Sequence, residues 1–195
     1  MAARIDKFYI MAMAATGKST FTNKHDTYLG YKVVDFGGAE LPQRRLSTRI
    51  LLYISRFFPP LRALIRNRPD MKDRFRHAYF DQAFEFLNKQ EEPIVLLGRR
   101  TRENYRELAA DNDKVRFSMV MIPEEEHRQH CAARKKTMRN PIPYFHHWTT
   151  NFDKILKIRK EMYAYAEEFD IPVYEDIESA IQAMHRQYSG TDASN

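Results

Sequence analysis

The chain has 195 residues, 43% of them hydrophobic and 13% aromatic, which is enough to bury one sizeable core, and its formal net charge of +6 draws it toward polyanions, whether nucleic acid, nucleotides or an acidic membrane surface, without choosing among them. A single cysteine, Cys131, excludes an internal disulfide and suits a reducing cytoplasm. No run approaches the roughly 18 apolar residues of a membrane span, and the opening MAARIDKFYIMAMAATGKST lacks the apolar segment and cleavage site of a secretory leader; a cytoplasmic protein without a membrane partner is expected.

The first predicted strand is FYIMAM at 8–13. It runs into AMAATGKST, and a helix is expected over 17–25. The second strand is YKVVDF at 31–36. Residues 39–76 are too long for a simple crossover and carry Arg44, Arg45, Arg49, Arg56, Arg62, Arg66, Arg68, Lys72, Arg74 and Arg76 against Glu40, Asp70 and Asp73. They read as a basic helical insertion broken at Pro59-Pro60. A helix over 74–88 places Phe75, Tyr79, Ala83, Phe86 and Leu87 on one stripe.

PIVLLG at 93–98 and VRFSMVMI at 115–122 are the third and fourth strands. Their contiguous apolar runs fit strands covered on both faces. Helix 123–136 opens with Pro123 and Glu124, Glu125, Glu126, a first turn matched to the helix dipole. Helix 152–168 has Ile155, Ile158, Met162 and Tyr165 or Ala166 on a face; strand IPVYED at 171–176, helix 176–188 and a disordered tail, SGTDASN at 189–195, complete the chain. Strands alternating with helices predict an α/β fold with a doubly wound parallel sheet of five strands, one domain over 1–188.

AMAATGKST departs from the phosphate-loop pattern G-x-x-x-x-G-K-[ST] only in beginning with Ala12. Such a loop works by curling successive backbone N–H groups round phosphate oxygens at a helix N-terminus. Gly17 leaves the closest approach open, Lys18 reaches the terminal phosphates, and the Ser19 hydroxyl ligates Mg²⁺. Ala14, Ala15, Thr16 and Thr20 complete the ATP-binding segment, and Ala12, Ala14 and Ala15 are small enough to leave room. Ala12 is costly only if its φ must be positive.

With a strand before it and a helix after it, this loop makes the chain resemble the P-loop kinase superfamily over nearly all of its length apart from 39–76. In that family the second strand commonly ends in an acidic residue beside the acceptor, and VVDF puts Asp35 there. The resemblance implies ATP and Mg²⁺ as cofactors, with Asp35 as base for an attacking hydroxyl or as a holder of metal-bound water; as a plain turn residue it would cap FGG. GRR after the third strand is similar to the acceptor-gripping segment of nucleoside-monophosphate kinases, making Arg99 and Arg100 substrate-binding candidates. The strand itself lacks the family's metal-supporting aspartate, since Leu97 precedes Gly98. PEEEHRQHCAARKKTMRNPIP, within a lid-like segment 123–145, resembles the kinase lid, with Arg134 closing on the transferred phosphate and Lys135, Lys136 and Arg139 in reserve. The bland alternative for Arg134 is a solvated helix end. The spacing HRQHC, with His127, His130 and Cys131, fits no standard zinc pattern.

The acceptor stays open at this point. Arginines between Tyr53, Phe57 and Phe58 suit a groove for a nucleic-acid strand, with Arg44 and Arg45 as contacts; Ile50, Tyr53, Ile54 and Phe57 equally make a stripe that packs on a sheet. The last third looks like polynucleotide 5′-hydroxyl kinases, and phage kinases acting on hydroxymethylpyrimidines in DNA are a related DNA-modification class. The expected function is phosphoryl transfer to a hydroxyl on nucleic acid, DNA above all. A nucleotide or small-metabolite kinase and a non-catalytic nucleotide-binding module are the alternatives.

Overall fold

The computed structural model of the chain describes residues 7–36, 82–98, 115–137 and 151–188. The chain divides into two compact units, one formed by Met1–Asp35 with Glu92–Asn195 and the other by Phe36–Glu91. The first contains β1 (Lys7–Ala12), α1 (Lys18–Lys24), β2 (Thr27–Tyr28), β3 (Tyr31–Asp35), β4 (Ile94–Gly98), β5 (Val115–Val120), α2 (Glu124–Thr137), α3 (Phe152–Glu168), β6 (Val173–Tyr174) and α4 (Ile177–Tyr188). The basic stretch 39–76 and the tail 189–195 lie outside the described residues.

The strands form one sheet in the order β2-β3-β4-β1-β5-β6. β1 is central, paired in parallel with β4 on one side and β5 on the other. That position explains its unbroken apolar sequence: Phe8, Tyr9, Ile10 and Met11 are fully buried, so neither face meets water. Phe8, Ile10 and Ala12 lie with Val33, Val95, Leu97 and Val120 on one face, where Ile177, Ala180, Ile181 and Met184 of α4 cover them. On the opposite face the rings of Tyr9 and Phe117 stand 5.8 Å apart.

The five-stranded expectation needs correction, because the sheet has six strands among the described residues. The extra one, β2, is a two-residue edge strand antiparallel to β3. It is made by a tight hairpin whose turn residues, Leu29 (φ 51°) and Gly30 (φ 82°), both take the left-handed conformation that matches the natural strand twist. Two residues of strand carry no periodicity, so only the turn could have signalled it.

Helices α3 and α4 begin at side-chain caps. Asn151 accepts from the Lys154 N–H, and Asp176 accepts from the Ser179 N–H at 2.7 Å. α3 spans the predicted 152–168, but its buried face differs from the expected stripe: Ile158 is only half-buried and Arg159 lies inside. In the second unit residues 82–88 are helical, with Ala83 and Leu87 buried. The Phe86 ring lies 5.8 Å from that of Phe36.

Candidate phosphate-binding site

The parallel strands β1, β3 and β4 end together. Asp35 pairs with Leu97, and Met11 with Gly98, so the loop leaving β1 emerges beside the ends of its neighbours. The carboxyl edge of a parallel sheet is where such folds place ligands.

Ala12, the departure from the motif, is the last residue of β1, pairs with Val120 and is 1% exposed. It has no positive φ; the left-handed residues of the loop are Ala15 (φ 64°) and Gly17 (φ 86°). A glycine is therefore dispensable at position 12, and the strain sits at Ala15, where an L-residue in this conformation costs about 1–2 kcal/mol.

Side chains hold four successive carbonyls of the loop. Lys18 Nζ donates to the Ala12 carbonyl at 2.8 Å and also to that of Met13. Thr16 Oγ1 donates to the Met13 carbonyl at 2.8 Å. His127 Nε2 lies 2.8 Å from the Ala14 carbonyl, and His130 Nδ1 lies 3.1 Å from that of Ala15. In a trans peptide the N–H points opposite to the C=O, so the N–H groups of residues 13–16 are turned away from these donors. Converging backbone N–H groups are what an anion cradle requires.

Gly17 caps the N-terminus of α1, and Ser19 stands in the first turn. Ser19 Oγ donates to Asp35 Oδ2 at 2.9 Å. Hydroxyl and carboxylate oxygens at this spacing are hard donors that fit Mg²⁺. Asp35 pairs in register with Leu97, so its carboxylate stands one strand over from the end of β4. Thr20 is exposed on α1, while Ala14 and Ala15 are half-buried and Thr16 is buried.

Gly98 has a packing reason of its own. A Cβ at this position would collide with the Tyr9 phenol, so the side chain of β1 occupies the space that β4 leaves.

Arg134 lies half-buried on α2. Its guanidinium is close enough to Cys131 to oppose the upward push that burial gives that thiol. Positions 127, 130 and 134 run along one helical face, so Arg134 continues the stripe whose histidines touch the loop. Arg44, Arg45, Arg99, Arg100 and the segment 138–150 lie outside the described residues.

Sequence reading did not foresee His127 and His130 at the loop, nor Arg159 behind His127. The histidines of HRQHC were weighed only as metal ligands, whereas each turns to a loop carbonyl. Arg159 is 7% exposed and its Nη1 lies 2.8 Å from the Ile122 carbonyl and 3.1 Å from His127 Nδ1. Burial pushes His127 below the ordinary histidine value of 6.5; the charges of Arg159, His130 and Lys18 act in the same direction, while the bond to Ala14 opposes them.

No protein-family model matches the chain, and no curated protein does. Among solved structures, TT1252 from Thermus thermophilus is similar with a TM-score of 0.54 at 18% identity, over 96% of this chain and 100% of that one. Deoxyadenosine kinase from M. mycoides with bound dATP is 13% identical with a TM-score of 0.42, over 93% and 98% of the two chains. The likeness to TT1252 is one of fold. Together with the loop after its central strand, the sheet defines a P-loop NTPase-type α/β fold. Among the described residues no helix is long and apolar enough to cross a membrane.

Proposed function

We propose that the protein is an ATP-dependent kinase that phosphorylates a hydroxyl carried by nucleic acid. The observation that carries this reading is the 2.9 Å pairing of Ser19 with Asp35 beside a loop whose carbonyls from Ala12 to Ala15 are held by side chains. A loop built only to bind a phosphate has no use for a carboxylate at its hydroxyl, since the two anions repel; a transferase uses it for a metal and a proton.

In this reading the backbone N–H groups of residues 14–20 bind the phosphates, the Lys18 ammonium exchanges the Ala12 and Met13 carbonyls for the terminal phosphates, and Ser19 with Asp35 holds the cation. Bound Mg²⁺-ATP would supply the phosphoryl group and a cation to neutralise the charge that develops on it. Asp35 accepts the proton of the acceptor hydroxyl. Arg134 spreads its donors over the transferred group as the lid arginine. The net charge of +6 and the arginines of 39–76, Arg44 and Arg45 among them, favour a polyanionic acceptor. Arg99 and Arg100, directly after Gly98, favour the second reading, in which they grip the phosphate of a nucleotide or small metabolite.

Labelled ATP offered with 5′-hydroxyl oligonucleotides, hydroxymethylated DNA, nucleosides and mononucleotides separates the two. Label on a polynucleotide, lost steeply as salt is raised, is the expected result. Label on a nucleoside or mononucleotide alone replaces the first reading with the second. ATP binding with no transfer to any acceptor leaves a non-catalytic nucleotide-binding module, a reading that the intact Lys18 and Ser19 weigh against.

A further inference from the structure

We propose that His127 is a positioning residue for the phosphate loop, holding the Ala14 carbonyl through Nε2–H in a tautomer that Arg159 dictates. The inference rests on the reading of the loop as nucleotide-binding and adds what keeps an alanine-rich version of it in shape.

The tautomer follows from the partners. An arginine donates hydrogen bonds and accepts none, so His127 Nδ1, 3.1 Å from Arg159 Nη1, carries no proton and accepts. The ring proton of the neutral imidazole is then on Nε2, where it donates to the Ala14 carbonyl at 2.8 Å. Arg159 is itself fixed, since the same Nη1 donates to the carbonyl of Ile122, just ahead of α2. The ring has no room to turn: His127 is fully buried, with the Phe152 ring edge-on at 6.1 Å. Arg128, the next residue on α2, lies over the face of that same Phe152 ring, 4.2 Å from its centre. A continuous path of contacts thus runs from α3 through α2 to the loop.

What the path holds is a strained residue. Ala15 sits at φ 64°, and φ at Ala15 is the setting of the peptide plane to which the Ala14 carbonyl belongs. Backbone in such a conformation persists only when its surroundings over-determine it. His127 grips the peptide before Ala15, and His130 meets the carbonyl after it. Glycine in this place would adopt the conformation unaided; with alanine there, the two histidines do the holding. Among the described residues the charged or titratable groups acting on His127 are basic, namely Arg159 of α3, His130 of α2 and Lys18 of α1. A protonated ring would lose its acceptor for Arg159 and face the cations of Arg159 and Lys18, so the arrangement is built for the neutral form.

Two measurements test this on the full chain. Nitrogen NMR of the histidine rings, recorded without nucleotide and assigned by the signal lost in His127→Gln, should show Nε2 protonated and Nδ1 bare. A ring protonated on Nδ1 overturns the proposal. The second measurement is the affinity for a fluorescent ATP analogue with Mg²⁺, in variants whose folding is checked by thermal unfolding. His127→Leu should weaken binding about tenfold, the scale of one buried hydrogen bond. His127→Gln, whose amide can still donate to the carbonyl, should stay within about threefold of wild type, on the same scale. Adding Ala15→Gly to His127→Leu should restore most of the affinity, because the strain is gone. Wild-type affinity in folded His127→Leu, or no rescue by Ala15→Gly, overturns the positioning role. Wild-type protein that binds no nucleotide overturns the kinase reading instead; the clamp is then decided by the ring tautomer and the backbone amide shift of Ala15, which His127→Leu must move and the double variant must return.

Discussion

Ser19 and Asp35 are separated by 16 positions in the chain and by 2.9 Å in space, the hydroxyl of α1 donating to the carboxylate that ends β3. This one bond joins the helix that follows the β1 loop to the strand that ends beside it. It also makes the two residues separable by experiment, because one is assigned to the metal and the other to the metal and the proton.

Asp35→Asn keeps an oxygen for Ser19 but removes the basic group, so turnover at saturating ATP and Mg²⁺ should fall by about 10²–10⁴-fold, the scale of general-base catalysis. Ser19→Ala should instead raise the Mg²⁺ concentration needed for half-maximal rate, with a smaller loss at saturation. Phosphoryl transfer that survives in Asp35→Asn demotes the aspartate to a residue that orients Ser19.

Lys18→Ala should lower the single-turnover rate by a factor on the order of 10³, as expected when a cation on the transferred group is removed. The ammonium also donates to the carbonyls of Ala12 and Met13, so its loss loosens the start of the loop. Lys18→Arg should not restore the rate, because a planar fork cannot replace a compact point charge between two carbonyls. An undiminished rate in Lys18→Ala removes the mechanism altogether.

Gly98→Ala should be among the most damaging small substitutions in the sheet. The new methyl meets the Tyr9 phenol, and Tyr9 is fully buried at the centre of β1, so overpacking of this kind costs roughly 1–3 kcal/mol or more. Urea unfolding should show that loss in Gly98→Ala and its partial recovery when Tyr9→Leu is added, a coupling expected of residues in contact. Equal and additive losses would mean that the two side chains do not share the space.

The strands and helices were legible because their signals are local. The apolar runs of β1, β4 and β5 announced a buried parallel sheet, and the span of α3 was readable from its periodicity. Asp35 and Ser19 were each identifiable from the motif and the strand end, but their contact depends on β3 lying beside β4 and β4 beside β1, an order no local signal carries. Arg159 was unreadable for a related reason. Nothing in the helical pattern of 152–168 marks it, and its burial becomes intelligible only when the Ile122 carbonyl and His127 Nδ1 are brought to it from another part of the chain. Ala12 was costly only if its φ had to be positive; it is not, and the left-handed alanine is Ala15, because β1 continues through position 12 and the turn begins after it.

Mild acid should destabilise the protein through His127. Burial and the neighbouring charges of Arg159, His130 and Lys18 hold its folded-state value below the ordinary 6.5, so below that pH the unfolded chain binds a proton that the folded ring refuses. Stability therefore rises with pH across this window. The contribution is fully present above about pH 6.5 and is lost as pH falls from there toward the folded value, at no more than about 1.4 kcal/mol per pH unit for one proton. Urea midpoints measured for wild type and His127→Gln between neutral and mildly acidic pH should converge on acidification. The variant has no imidazole to protonate and loses stability less steeply, although it is the less stable of the two at neutral pH. Parallel curves would show that His127 takes up its proton equally in the folded and unfolded chain, against the burial and the basic surroundings that define its site.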